Sequence, residues 1–424
     1  MSAAQPLTAP PDRGLLRFLT CGSVDDGKST LIGRLLVDTR SVLADALSAI
    51  ERTSRRRGLQ AVDLSLLTDG LQAEREQGIT IDVAYRSFST GTRKYIIADA
   101  PGHEQYTRNM VTAGSTAHLA VILVDARKGV LTQTRRHSLI AHQLGIPHLV
   151  VAVNKMDLVG WSAEVFERIR RDYLTFAGQL GIQGARFIPI SALDGDQVVE
   201  RGERLGWYRG PTLLEILEGA PAAGSVQPAA FRFPVQWVCR PHAQEHHDFR
   251  GLGGRVEAGR ISVGDPIQVL PSGRTTRVKA IRLGEVALST AVAEQSVLLQ
   301  LEDEVDVSRG DLLASPGLAP TPTRHVDAML CWLSERPLSS DRRYLVRHTT
   351  RETRAQVAEV AWRLDLGTLE RVPAQGLAMN DIGRVAFRLA RPLAADPYRT
   401  SRSTGSFIVI DETSNDTVGA GMIL

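Results

Sequence analysis

Near the start of the chain, Gly22-Ser23-Val24-Asp25-Asp26-Gly27-Lys28-Ser29 matches the spacing G-x-x-x-x-G-K-[ST]. Such glycines let backbone N–H groups turn inward around a β-phosphate, at the positive end of the helix that the pattern places next. Lys28 would set its ammonium between the β- and γ-phosphates. Ser29 would give its hydroxyl to a magnesium ion, and Thr30 closes the stretch assigned to the nucleotide.

Further along, Asp99-Ala100-Pro101-Gly102 follows an apolar run, which puts Asp99 at a strand's C-terminal edge. Asp99 would hold magnesium through water, and the Gly102 N–H would sense the γ-phosphate. Asn154-Lys155-Met156-Asp157 follows another such run. Guanine offers N1–H and its amino group side by side, two donors that one carboxylate can accept together. Adenine lacks that pair, so Asp157 selects GTP over ATP. Asn154 would bridge the base and the loop, and the aliphatic stem of Lys155 would lie along the ring. Ser191-Ala192-Leu193 supplies a backbone N–H for the guanine carbonyl. Gly78-Ile79-Thr80 is the candidate first switch, with Thr80 on magnesium only while the γ-phosphate is present. His103, directly after Gly102, is the candidate for positioning the attacking water. Alone, the first string also occurs by chance, and Asp99–Gly102 or Ser191-Ala192 would be an ordinary turn; four motifs in this order, each after a strand, specify a GTP site.

These residues need a scaffold. Leu15–Thr20, Lys94–Ala98, Leu119–Val124, His148–Val153 and Arg186–Ile190 read as strands. Ser29–Leu36, Glu104–Ala113, Thr134–Leu144, Ala163–Leu180 and Thr212–Glu218 read as helices. The alternation predicts an α/β domain over residues 14–220, a mostly parallel sheet with helices on both faces. One local exception is an antiparallel edge hairpin, Ile79–Thr90 against Arg93–Ala98. Pro221–Pro228 reads as a linker, and beyond it short β-like runs separated by turns predict two β-barrels, residues 228–316 and 323–424. Residues 1–13 are expected to be a flexible arm.

Composition narrows the classes. The chain has 424 residues, 43% of them hydrophobic and with a net charge of +3, which is too small to argue for nucleic acid or a membrane surface. No secretory signal is expected in Met1–Arg13, and Cys21, Cys239 and Cys331 are expected to be buried thiols in a reducing cytoplasm. Lysine occurs only at Lys28, Lys94, Lys128, Lys155 and Lys279, nearly all basic charge being arginine. Two of the five stand in nucleotide motifs, where a compact point charge must fit. Arg55-Arg56-Arg57 is expected on a solvated helix end, and His242, His246 and His247 in a loop, without a metal.

Several longer strings carry a resemblance. Ala73-Glu74-Arg75-Glu76-Gln77-Gly78-Ile79-Thr80-Ile81-Asp82 and Pro101-Gly102-His103-Glu104 resemble the translation elongation factor superfamily, a GTPase domain followed by two β-barrels. Within it, Val24-Asp25-Asp26-Gly27-Lys28-Ser29-Thr30-Leu31-Ile32-Gly33-Arg34-Leu35-Leu36, Asp69–Glu76 and Gly102–Met110 are similar to the large GTPase subunits of bacterial heterodimeric sulfate adenylyltransferase. Phe231–Gln236 and Ser308-Arg309-Gly310-Asp311 extend that likeness beyond the first domain. Asp26, where elongation factors usually carry His, reads as a marker of this branch more than a part of the mechanism. The loop Pro241–His247 looks longer than usual for the branch, and Ala100 replaces a commoner Thr.

The resemblance implies a GTPase that couples hydrolysis to the formation of adenylyl sulfate and pyrophosphate from ATP and sulfate. It implies a smaller partner subunit of the ATP-pyrophosphatase type that carries the adenylyl transfer, and magnesium with GTP as cofactors. Only one P-loop stands in the sequence, so a fused adenylylsulfate kinase, which some relatives carry, is not expected. The competing reading is a translation factor delivering aminoacyl-tRNA, which the branch-specific strings disfavour.

Overall fold

A computed structural model of the chain describes residues 14–56, 62–67, 82–102, 107–221, 230–240, 249–365, 367–368 and 370–424. It divides into two compact units, Met1–Ser225 and Val226–Leu424. In the first unit, β1 (Leu15–Cys21) leads into α1 (Lys28–Asp38), α2 (Ala44–Arg56) and a 3-10 turn at Leu64–Leu67. Then come β2 (Ala84–Ser89), β3 (Lys94–Asp99), α3 (Thr107–Gly114), β4 (Leu119–Asp125) and α4 (Thr132–Gln143). β5 (His148–Asn154), α5 (Ala163–Gln179), β6 (Arg186–Pro189) and α6 (Leu213–Gly219) follow.

The strands form one sheet in the order β2-β3-β1-β4-β5-β6, in which only the β2–β3 pair is antiparallel. The residues dictate this arrangement. β4 reads Leu-Ala-Val-Ile-Leu-Val-Asp and is buried at every position, and β5 at every position but its first. Uninterrupted apolar runs of this kind suit strands covered on both faces. β2 alternates and is mostly exposed, as an edge strand should be. It is fastened by Phe88, which lies opposite Tyr95 in register and stacks on it at 4.4 Å between ring centroids. Helix starts are written locally too. Ser162 Oγ accepts the Val165 N–H at the head of α5. At α6, Thr212 Oγ1 accepts the Glu215 N–H while the Glu215 carboxylate accepts the Thr212 N–H, a reciprocal capping box.

The expected hairpin is present, although its first strand begins at Ala84; residues 79–81 lie outside the described residues. Of α2 only the end was foreseen, at the arginines 55–57. Only Ser54 of that helix is buried, and its apolar residues Leu47 and Ile50, at helical spacing, are only half-buried. Arg55 and Arg56 do sit exposed in its last turn. The cysteines are free, but Cys239 is half-buried at the end of its strand, where a buried thiol was expected.

In the second unit, β7 (Arg232–Cys239), β8 (Gly251–Arg255), β10 (Pro266–Leu270), β11 (Thr275–Leu283), β14 (Ser296–Leu301) and β15 (Leu312–Ala314) form a barrel closed by pairing of β10 with β11. Between them, β9 (Arg260–Ser262) and β13 (Thr290–Val292) make a small ribbon, and β12 (Val286–Leu288) a hairpin on β11. A second barrel runs from β16 (Thr323–Trp332) through β17 (Arg343–His348), β18 (Arg351–Leu364), β20 (Ile382–Leu393), β21 (Ser406–Asp411) and β22 (Thr417–Ile423). Pairing of β17 with β18 closes it, and β19 (Arg371–Val372) flanks it. Closure pairs both edges of each barrel's six strands, leaving β12, β19 and the β9–β13 ribbon at the margins. No helix of eight residues or more occurs among the described residues of this unit.

The two barrels meet across a buried ion pair. Arg232 of β7 donates Nε and Nη2 to Asp396, each at 2.9 Å, and Nη2 also to the Leu318 carbonyl at 2.6 Å. The Thr404 hydroxyl donates to the same carboxylate at 2.6 Å. The two side chains are only 7% and 9% exposed, so either charge alone would be stranded. Arg232→Met is expected to cost about 3–5 kcal/mol in urea unfolding of the full chain. An unchanged midpoint and slope would show that the pair does not hold the barrels.

Candidate functional site

In a parallel sheet the loops that follow the strands gather at one edge, and ligands bind there. Here the loops after β1, β3, β4, β5 and β6 do so, and they carry every described residue singled out above for the nucleotide. Gly78, Ile79, Thr80, His103 and the histidines 242, 246 and 247 lie outside the described residues.

The loop after β1 is wound tightly. Asp25 and Gly27 take left-handed backbone angles, φ 66° and 91°, which turns successive N–H groups to one side. The Leu31 N–H accepts this geometry by donating to the Gly27 carbonyl at 2.9 Å, so α1 grows directly from the loop. Lys28 folds back, its Nζ donating to the Gly22 and Ser23 carbonyls at 2.8 Å each. Burial pulls the Lys28 ammonium below its ordinary value, with Asp99 and Asp26 opposing that shift. Asp26 has a larger part than a marker. Its buried Oδ2 accepts the Ser23 N–H at 2.6 Å, so the side chain braces the loop and removes that N–H from any ligand. Burial raises the Asp26 carboxyl, offset in part by Lys28 and the Ser23 N–H. Val24, Ser29 and Thr30 remain partly accessible on the same loop and first helical turn.

Opposite Lys28 stands the loop after β3. Asp99 is 2% exposed and lies in register with Thr20, whose hydroxyl donates to its carboxylate at 3.4 Å. Ala100, Pro101 and Gly102 are buried. A Cβ on Gly102 would lie 2.6 Å from the Gly22 carbonyl oxygen and 2.7 Å from Lys28 Nζ. Only glycine allows this close approach of the loop to Lys28, and an ammonium beside a glycine loop at the head of a helix fits a phosphate. The nearby Ser29 hydroxyl and Asp99 carboxylate are hard oxygen donors of the kind magnesium takes with substrate phosphates. No group of three or more His, Cys, Asp or Glu side chains able to hold a metal occurs among the described residues.

The base-reading candidates are tied to the phosphate loop by side chains. Asn154 donates Nδ2 to the Asp26 carbonyl at 2.8 Å and accepts the Ala192 N–H on Oδ1 at 2.9 Å. Lys155, in a left-handed conformation, donates to the Asp25 carbonyl and pairs with Asp125 at 3.1 Å. The Asp157 carboxylate is half-buried and makes no hydrogen bond among the described residues. In the turn after β6, the Ser191 N–H goes to the Asp196 carbonyl, the Ala192 N–H to Asn154 and the Asp194 N–H to Ser191 Oγ.

Sequence reasoning missed Asp125. It ends β4, one residue beyond the apolar run taken as the strand, and an acid at a strand's C-terminal end was the available signal. Its side chain is wholly buried, and it accepts from Arg127 Nε and Nη2 at 3.0 and 2.6 Å as well as from Lys155. Burial alone would raise this carboxyl, but the hydrogen bonds from Arg127 and Lys155 outweigh it and hold the group well below the usual carboxylate range.

Known proteins resemble the chain over nearly its whole length. Residues 13–222 match the family described as Elongation factor Tu GTP binding domain, and residues 325–424 match GTP-eEF1A C-terminal domain-like. Sulfate adenylyltransferase subunit 1 of Cellvibrio japonicus (strain Ueda107) is 53% identical over 412 residues, 97% of this chain and 86% of that protein. The chain belongs to the sulfate adenylyltransferase subunit 1 family. Subunit 1 of Laribacter hongkongensis (strain HLHK9) is 54% identical over 414 residues, 97% of this chain and 85% of its own. The Bifunctional enzyme CysN/CysC of Mycobacterium tuberculosis (strain ATCC 25618 / H37Rv) is 52% identical, over 97% of this chain and 67% of its own. The likeness read from the longer strings is therefore borne out, and the first unit is a GTP-binding domain. No described helix is long and apolar enough to cross a membrane.

Asp125→Asn is expected to lower stability by about 2 kcal/mol at neutral pH, the range for hydrogen bonds to charged groups. A carboxyl depressed by folding contributes fully above its unfolded value near 4, and loses that contribution as pH falls through its folded value. The variant should therefore show a shallower loss of stability in acid. Urea midpoints equal to the parent's at pH 7 would show that Lys155 and Arg127 gain nothing from the carboxylate.

Proposed function

We propose that the chain binds GTP with magnesium at this sheet edge, hydrolyses it, and couples the hydrolysis to formation of adenylyl sulfate and pyrophosphate from ATP and sulfate. The adenylyl transfer itself falls to a smaller partner subunit of the ATP-pyrophosphatase type. The reading rests above all on membership of the subunit 1 family over nearly the whole chain. A cytoplasmic location and the division into domains at residues 14–220, 228–316 and 323–424 go with it.

The roles follow from the loops. The loop's N–H groups over residues 22–29 other than that of Ser23, which Asp26 takes, bind the β- and γ-phosphates together with the Lys28 ammonium. Lys28 already spans two loop carbonyls, so a phosphate oxygen adds a charged acceptor to an ammonium that burial has stripped of water. Ser29, Asp99 and Thr80 would hold magnesium, which supplies positive charge against the phosphate oxygens when bound. The Gly102 N–H faces the γ-phosphate, and His103 orients the attacking water. Loss of the γ-phosphate releases Thr80 and the segment around it. Coupling requires that the partner's chemical states bias this switch, and that the switch bias them in return.

Asp157 reads the base. Its half-buried carboxylate keeps both oxygens for guanine N1–H and the amino group. Asp157→Asn is expected to weaken GTP binding by about 10- to 100-fold, the equivalent of one or two charge-assisted hydrogen bonds, and to favour xanthosine triphosphate. Unaltered GTP affinity by calorimetry would count against the pairing. For the coupled reaction, the chain with its smaller subunit should release pyrophosphate from ATP and sulfate faster as GTP is added. Lys28→Ala should abolish that response. Pyrophosphate release indifferent to GTP would refute the coupling.

A further inference from the structure

α1 begins at the phosphate loop, and its second turn reaches the turn after β6. Arg34 donates Nε to the Ala192 carbonyl at 3.3 Å and Nη2 to the Leu193 carbonyl. Its remaining nitrogen lies 3.6 Å from Asp38, one helical turn on, which holds the guanidinium from its own helix. Gly195, with φ 91°, lies against the Arg34 stem, where a Cβ would sit 3.4 Å from Cδ. The side chain is only 22% exposed. It is a built contact, with two acceptors, one counter-ion and a glycine shaped to the stem.

The consequence follows from peptide geometry. The Ala192 carbonyl and the Leu193 N–H belong to one planar trans peptide unit, so they point in opposite directions. Holding the carbonyl toward α1 turns the Leu193 N–H away from α1. The N–H groups of Ser191, Ala192, Asp194 and Gly195 are all spent inside the turn or on Asn154. Among the described residues no hydrogen bond is made by the Leu193 N–H. We propose that Arg34 is a positioning residue for base recognition: by clamping the Ala192 and Leu193 carbonyls it aims the Leu193 N–H at the 6-oxo group of the guanine. The inference rests on the GTP reading above and adds to it a route by which the phosphate helix sets base specificity.

The test compares two nucleotides on the full chain. GTP carries the 6-oxo acceptor, whereas 2-aminopurine riboside triphosphate keeps the same sugar, triphosphate and 2-amino group but has neither that oxygen nor the N1–H, a loss common to parent and variant, so each nucleotide is compared between the two proteins. Arg34→Ala is expected to weaken GTP about tenfold while leaving the 2-aminopurine nucleotide within about twofold, since one aimed hydrogen bond is at stake. Arg34→Lys should not restore GTP affinity, because an ammonium cannot span two carbonyls as the planar fork does. Equal losses for both nucleotides would mean that Arg34 merely stabilises the domain, and unchanged GTP affinity would mean that the turn holds itself; either result overturns the proposal. The parent chain is titrated first. If it ignores GTP, the nucleotide reading itself has failed, a result distinct from a failure confined to Arg34.

Discussion

The buried amide of Asn154 is the interaction on which the site depends. It is one of few side chains able to donate and accept in opposite directions, and it uses both, to the Asp26 carbonyl and from the Ala192 N–H. Three loops, 128 and 38 residues of chain apart, are thereby held in one geometry. Gly27 has to be glycine for the same reason. A Cβ there would stand 2.5 Å from Asn154 Nδ2, and its left-handed φ of 91° disfavours any other residue. Neither the amide nor the glycine is recognisable alone; their meaning comes from the parallel sheet that brings the ends of β1, β5 and β6 together.

That sheet was largely legible in the residues. β4 and β5 are continuous apolar runs of the length a buried parallel strand needs, so both their existence and their orientation could be read. The loops were legible through glycines and polar residues at fixed spacing. The less legible features are of two physical kinds. α2 buries only Ser54, so although Leu47 and Ile50 stand at helical spacing, no core contact singles the helix out. The functions of Arg34 and Asp125 depend on partners distant in sequence: Asp125 on Lys155, Arg34 on the turn at 192–193. Asp26 was misjudged because only its backbone was considered, although its side chain accepts the Ser23 N–H. Local pattern announces a strand or a helix, whereas a side chain that clamps another loop has no local signature.

The barrels make the same point in another form. Their short alternating runs and turn residues indicate β-structure, and closure follows because free edges are a liability. That two barrels should be joined through Arg232 and Asp396 could not be read, since an arginine inside an apolar run looks like an interruption. The structure makes it the reverse. The pair is satisfied by the Leu318 carbonyl and the Thr404 hydroxyl, and these extra bonds are what allow two charges to be buried at all.

The scarcity of lysine can now be given a physical cause at two of its positions. In a chain whose basic residues are nearly all arginine, Lys28 and Lys155 stand where an ammonium makes short contacts in more than one direction. Lys28 Nζ sits between two carbonyls of its own loop at 2.8 Å, with the Gly102 backbone so close that even a methyl group there would collide. Lys155 Nζ reaches the Asp25 carbonyl and the Asp125 carboxylate together. A guanidinium is flat and wide, and bonds in the plane of its fork; it could not enter the space between Gly22, Ser23 and Gly102 without displacing one of them. Arg127 and Arg34 mark the opposite case. They meet a carboxylate or a pair of carbonyls edge-on, where the fork is the better fit. The choice between the two cations thus follows the shape of the acceptor at each position, and composition alone could only hint at it.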